Sequence, residues 1–169
     1  MFASCARQCG DATAEDFRET QAMAHRYSQS PEVLWPAVTA VCALDAAPLE
    51  GPRTNGDGQA YTGWRSYFGG AERRRLHVVF DHDAEGTRVH FVQEVNRSTD
   101  GGAWREAPWQ REAGAEAWHL LQRLAPEEAR RIDAAAVQRG EQQTQSCLAC
   151  ERGLGGDEDV PRGYPPSNR

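Results

Sequence analysis

Apolar positions along this chain repeat with two periods. Between residues 31 and 45, Leu34, Val38, Val41 and Leu44 recur at helical spacing, with Trp35 and Cys42 flanking their face. That is the pattern of a helix with one buried stripe. Ser30-Pro31-Glu32 supplies its start: a side-chain cap, a proline at the first helical position and an acid in the first turn. Pro36 falls early enough for a bent first turn to absorb it. Upstream, Gln21 to Ser28 alternates weakly and reads as a strand leading into the helix.

The stretch from Asp45 to Gly58 carries Pro48, Gly51, Pro52 and Asn55-Gly56 and predicts a long loop. The period then changes to two. Tyr61 to Phe68 is aromatic and alternating; Arg73 to Asp81 puts Leu76, Val78 and Phe80 on one face; Thr87 to Val95 does the same with Val89, Phe91 and Val95. The last two segments form a hairpin around Asp83-Ala84-Glu85-Gly86. Pairing Phe80 with Val89 sets Val78 opposite Phe91 on the buried side. The same register sets Asp81 opposite Arg88 and Arg75 opposite Glu94 on the other side, each pair contributing roughly 0.2–1 kcal/mol. A slip of one residue turns the apolar set outward, so two independent signals choose one register. Trp104 to Trp109 adds a last strand or leads into a helix. Ala117, Trp118, Leu121 and Leu124 mark a helix over 113–124, and Pro126-Glu127-Glu128 starts another that ends near Gly140, with Ala129, Ile132 and Ala136 on one side.

These elements predict an α+β fold: an antiparallel sheet of three to five strands with helices packed on one face. The opposite face is polar, with Arg75, His77 and Asp81 beside Arg88, His90 and Glu94. Residues 1–19 read as a flexible leader, 20–139 as a single domain, and 140–169, rich in Gly, Pro and charge, as a disordered tail.

Composition narrows the chemistry. The 169 residues carry a formal charge of −6, and all 19 basic residues are arginine. The absence of lysine excludes Schiff-base and phosphate-loop lysine chemistry, and is the base composition expected of a GC-rich genome. A net acidic chain lacks the field that draws a protein to nucleic acid. No stretch approaches the roughly 20 apolar residues of a membrane span. The mean hydropathy of −0.73 leaves a core of modest size.

Several pieces together resemble a known family. They are Ser30-Pro31-Glu32-Val33-Leu34-Trp35, Tyr61-Thr62-Gly63-Trp64-Arg65, Arg73-Arg74-Arg75-Leu76-His77-Val78 and Gly86-Thr87-Arg88-Val89. Over about residues 20–125 the chain is similar to the helix-grip domains of the outer-membrane β-barrel assembly lipoprotein C and related envelope lipoproteins. The resemblance implies a non-enzymatic, membrane-anchored envelope domain that binds a protein partner, with no cofactor and no catalytic residues to carry over. Phe2-Ala3-Ser4-Cys5 resembles the end of a lipoprotein signal, without the basic and apolar regions that precede one. Cys5 is the lipid anchor if the true start lies upstream of Met1, and the protein then sits on the periplasmic side of a membrane. Otherwise Cys5 belongs to a leader and the protein is cytoplasmic.

Other candidate sites are weaker. Cys147-Leu-Ala-Cys150 and Cys5-Ala-Arg-Gln-Cys9 have the spacings of two half zinc sites. Both chain ends would have to meet, and neither segment has the turn residues of a zinc knuckle. A local disulfide or plain thiols are the expectation, with Cys42 a small core residue. His77 and His90 share a sheet face with Glu94 and Asp81 but lack tightly spaced ligands, so no metal is expected there. Asp81-His82-Asp83 reads as turn chemistry. Neither Gly-x-Ser-x-Gly nor Gly-x-Gly-x-x-Gly before a helix occurs. Arg73-Arg74-Arg75 reads as a sheet-edge run pairing with Glu72 and Glu94. Trp35 and Trp118 are expected in the core. The candidate partner-binding residues are Trp64, Arg75, His77 and His90, since aromatics and arginine dominate interface energetics. The alternatives are a soluble helix-grip domain with an apolar ligand cavity of ~300 Å3 or more, and an enzyme whose site is not recognisable.

Overall fold

The computed structural model describes residues 2–44, 58–98, 104 and 109–153. Ten elements follow one another: α1 (Phe2–Ala24), α2 (Pro31–Leu44), β1 (Gln59–Tyr61), β2 (Arg65–Tyr67), a 3-10 turn (Phe68–Gly70), β3 (Glu72–Asp83), β4 (Gly86–Arg97), β5 (Trp109–Glu112), α3 (Gly114–Leu124) and α4 (Pro126–Gly153). The fold is α+β, with an open five-stranded antiparallel sheet. Of the expected loop over 45–58, residues 45–57 lie outside the described residues, as does the chain after 153.

The β3–β4 hairpin is the spine of the sheet. Its register pairs Phe80 with Val89, Val78 with Phe91, Asp81 with Arg88 and Arg75 with Glu94, as the alternation predicts. The turn closes because Gly86 adopts φ 126°, a conformation open to glycine. Any side chain there would also meet the Tyr27 carbonyl oxygen 2.5 Å away. Asp83 Oδ1 accepts the Glu85 amide at 2.9 Å and Arg26 Nη1 at 2.8 Å, so Asp83 is turn chemistry, whereas Asp81 and His82, expected in the turn, are strand residues paired with Arg88 and Thr87.

β1 and β2 share one edge of β3, and β5 borders β4. β3 is therefore an interior strand, not the sheet edge that its arginine run suggested. The expected single strand over 61–68 is two short ones. At the break, Thr62 donates its amide to the Leu76 carbonyl at 2.9 Å, while its buried hydroxyl accepts the Leu76 amide at 2.8 Å. A side chain thus replaces the next backbone rung, and Gly63-Trp64 leave the ladder.

Leu76, Val78, Val89 and Phe91 form a core with Leu34, Val38 and Val41 of α2 and Leu120 and Leu121 of α3. Cys42 is fully buried here, and Trp35 and Trp118 pack against the cluster partly buried. Tyr27 and Thr87 exchange two 2.8 Å backbone hydrogen bonds, the one bridge made by a segment expected to be a strand. Residues 21–24 are helical.

Among the described residues, helix extends into both end segments. Residues 2–24 form a helix, and the last helix continues 13 residues past Gly140. The two pack against each other through buried Ala6, Gly10 and Ala14 facing Ala136 and Gly140. Both stripes are built of alanine and glycine, so neither shows large apolar residues at helical spacing. Gly140 marks the closest approach of two helices rather than a helix end.

That contact reverses the usual sign of a helical glycine-to-alanine change. In a free helix the change favours folding by about 1 kcal/mol. At Gly10 the new Cβ would collide with Thr144 Oγ1 and sit 2.5 Å from the Gly140 carbonyl oxygen. Gly10→Ala is expected to lower stability by about 1–3 kcal/mol, read as a lower urea midpoint. A raised midpoint would show that the helices are not in contact there.

Candidate functional site

Strand alternation sends Arg73, Arg75 and His77 to the sheet face opposite the helices, and Arg74 to the helix side. Pairing places Tyr61 beside His77, and Glu94 beside Arg75. Released from the ladder after Thr62, Trp64 folds onto the same face. Its ring lies 4.5 Å from the Arg73 guanidinium carbon and 4.6 Å from that of Arg75. Trp104, held by a bridge to Ser98, covers the other side of Arg73 at 4.3 Å. Tyr61 covers the other side of Arg75 at 4.3 Å and stacks on His77 with ring centroids 4.2 Å apart and planes 7° apart.

The result is a continuous stack of six side chains: Trp104, Arg73, Trp64, Arg75, Tyr61, His77. Each guanidinium lies between two aromatic rings. Cation–π contacts contribute from about 0.5–1 kcal/mol when exposed to about 2 when desolvated. All six groups are half-buried, and so remain accessible from solvent.

The two arginines differ in their charge partners. Arg75 Nε donates to Glu94 Oε2 at 2.6 Å. The Glu94 side chain is only 5% exposed, and its second oxygen accepts Gln110 Nε2 at 3.0 Å. Arg73 has neither a carboxylate nor a hydrogen-bond partner among the described residues, and its Nε is buried without an acceptor. One arginine is neutralised in place; the other is a cation whose contacts among the described residues are with rings.

His77 closes the stack. Its Nε2 donates to Gln59 Oε1 at 3.1 Å, and its Nδ1 lies 3.9 Å from Glu94 Oε1. Burial of the ring, and secondarily the Arg75 charge, hold its pKa below the usual histidine value against the pull of Glu94.

Of the four partner-binding candidates, Trp64, Arg75 and His77 meet in one stack. His90 shares the face, opposite Val79, but lies outside the stack. The expected Asp81–Arg88 pair stands opposite in register without forming an ion pair, and Arg88 Nε is buried without an acceptor. The stack members not singled out from sequence were Arg73, Tyr61 and Trp104. Alternation already put Arg73 beside Arg75, whereas nothing local shows that Trp104 returns over it. On the helix side, Arg74 and Arg97 both pair with buried Glu72, at 2.6 and 2.8 Å. Hydrogen bonds from Arg97 and then Arg74 hold that carboxyl below the usual range.

Little open space lies beside the core between α2 and the sheet among the described residues. The cavity lined by Cys42, Thr62, Leu76 and Gln93 has a volume of about 20 Å3, far short of the several hundred that a small-molecule site needs. A larger open groove of about 1220 Å3 runs along α1, α3 and α4. Its lining is mixed in charge, with Arg18 and Asp133 paired at 2.6 Å. No group of three or more metal-ligating side chains occurs among the described residues, and no helix there is long and apolar enough to cross a membrane. No protein-family model, curated protein or solved structure matches this chain. The chemistry of the open face therefore carries the functional reading.

His77 makes a pH prediction. The folded protein keeps it neutral over a window, below the ordinary value of 6.5, in which the unfolded chain binds a proton. Stability contributed by His77 is then fully present above that value and falls as pH drops through the window. His25 shifts the same way through burial, so the His77 share is the difference between wild type and His77→Gln. Urea midpoints from pH 8 to 5 should fall less steeply in the variant. Equal slopes would contradict the burial of His77.

Proposed function

We propose that this chain is a protein-binding domain that takes an acidic segment of its partner on the open sheet face. The observation that carries this reading is Arg73, a cation between two tryptophans with no carboxylate of its own among the described residues. A guanidinium fork is pre-organised for bidentate pairing with a carboxylate. The flanking rings exclude water around such a pair, and rigid aromatics beside arginine are the usual anchors of an interface. The small volume, about 20 Å3, of the cavity lined by Cys42, Thr62 and Leu76 favours this surface over an enclosed ligand site there.

We also propose a location at the cell envelope. The Phe2-Ala3-Ser4-Cys5 stretch and the exposed Cys5 support attachment to the envelope through a lipid on that cysteine. If so, Cys5→Ser moves the protein from the membrane to the soluble fraction of cells expressing the gene with its upstream region. An unchanged distribution would remove the anchor from the proposal.

Binding is tested with short peptides carrying Asp or Glu, and their Asn or Gln counterparts, followed through the indole N–H signals of Trp64 and Trp104. The acidic peptides should shift both signals, and the amide versions should not. Arg73→Gln should weaken binding at least ~10-fold, equivalent to 1.4 kcal/mol, while preserving the fold. Shifts confined to the α1–α3–α4 groove, or no shifts, would overturn the reading.

A further inference from the structure

The packing of α1 against α4 brings together two cysteines 138 positions apart in sequence. Cys9 and Cys147 approach with their sulfurs 2.8 Å from each other. That is inside an ordinary van der Waals contact and outside the roughly 2.05 Å of a disulfide bond. Gln143 Nε2 lies 3.5 Å from both sulfurs. The Gly10–Gly140 contact, adjacent to Cys9, lets the two backbones come close, which a bridge between helices requires. Both thiols are half-buried, so a small reagent can reach them, whereas Cys42 is fully buried in the core.

We propose that Cys9 and Cys147 are a dithiol modification site, oxidised by a small-molecule disulfide such as oxidised glutathione to a bridge that joins the first and last helices. The Cys9 thiolate attacks one sulfur of glutathione disulfide, forming a mixed disulfide and releasing one glutathione thiolate. The Cys147 thiolate then attacks the Cys9 sulfur of that mixed disulfide, forming the Cys9–Cys147 bond and releasing the second glutathione. The protein loses two electrons and two protons, and the oxidant takes them up as two thiols.

Hydrogen bonds from Cys147 and then Gln143 lower the Cys9 pKa, which raises its thiolate fraction and makes it the attacking group. The structure favours this cross-terminal bridge over a local one between Cys5 and Cys9. Cys5 lies exposed one helical turn from Cys9, while Cys147 is in direct contact with it.

The bridge would close a loop of roughly 140 residues, among the longest the chain allows, and so strongly restrict the unfolded state. The test places the reduced full-length protein in glutathione buffers of graded oxidised-to-reduced ratio, followed by peptide mapping without reductant. The expected product has lost two hydrogens and links the peptides containing Cys9 and Cys147. Its Tm should rise by about 10 °C. Cys9→Ser and Cys147→Ser should each abolish the link and the Tm rise; Cys5→Ser should preserve both. Continued alkylation of Cys9 and Cys147, accumulation of only a glutathione adduct, a link confined to Cys5–Cys9 or Cys147–Cys150, or an unchanged Tm in the linked protein would overturn it.

Discussion

Alternation along one antiparallel hairpin divides this molecule into two chemistries. β3 and β4 run side by side for 12 residues each, and successive side chains point to opposite faces. Leu76, Val78, Val89 and Phe91 meet the helices, while Arg73, Arg75, His77 and Glu94 face the other way. A slip of one residue would place the arginines in the core and the apolar set in water. The core and the stack therefore stand or fall on the same register, and the pairing of half-buried Arg75 with buried Glu94 reinforces it from the polar side.

Arginine suits the stack in a way that lysine does not. A planar guanidinium can lie flat between two rings and still direct N–H groups outward in its plane. An ammonium is a compact, strongly hydrated point charge that loses more water when enclosed. The absence of lysine among the 19 basic residues leaves every permanent side-chain cation here with stacking geometry. Arg73 and Arg75 use it on the open face; Arg74 lies 4.7 Å from the Tyr67 ring on the other, and Arg139 lies 4.1 Å from the Phe17 ring between the terminal helices.

Sequence reading succeeded where two kinds of signal agreed. The hairpin register was legible because apolar alternation and opposite charges select the same pairing. The start of α2 was legible because Ser30-Pro31-Glu32 supplies a cap, a fixed dihedral and an acid together. The terminal helices were hidden because their contact surfaces are Ala6, Gly10, Ala14, Ala136 and Gly140, residues too small to register as an apolar stripe. The expectation of a local disulfide or plain thiols treated the chain ends as independent, whereas helix packing sets Cys9 against Cys147. Within the stack, Trp64, Arg75 and His77 could be named from residue type and strand face. Trp104 could not, because its place over Arg73 depends on a return of the chain that no local pattern encodes.

The central claim is that Arg73 and Arg75 are each held between aromatic rings on the open sheet face. The most direct measurement is the proton chemical shift and water exchange of their Nε–H groups by NMR, in wild type and in Trp64→Leu. Ring currents should move the Arg73 Nε–H signal, which has no acceptor among the described residues, well upfield, and its exchange should be slow. The variant should return it toward the value of a free arginine, whereas the Arg75 Nε–H stays slow to exchange through its hydrogen bond to Glu94. Signals at free-arginine positions with fast exchange in the wild type would contradict the stack, and with it the assignment of this face as the binding surface.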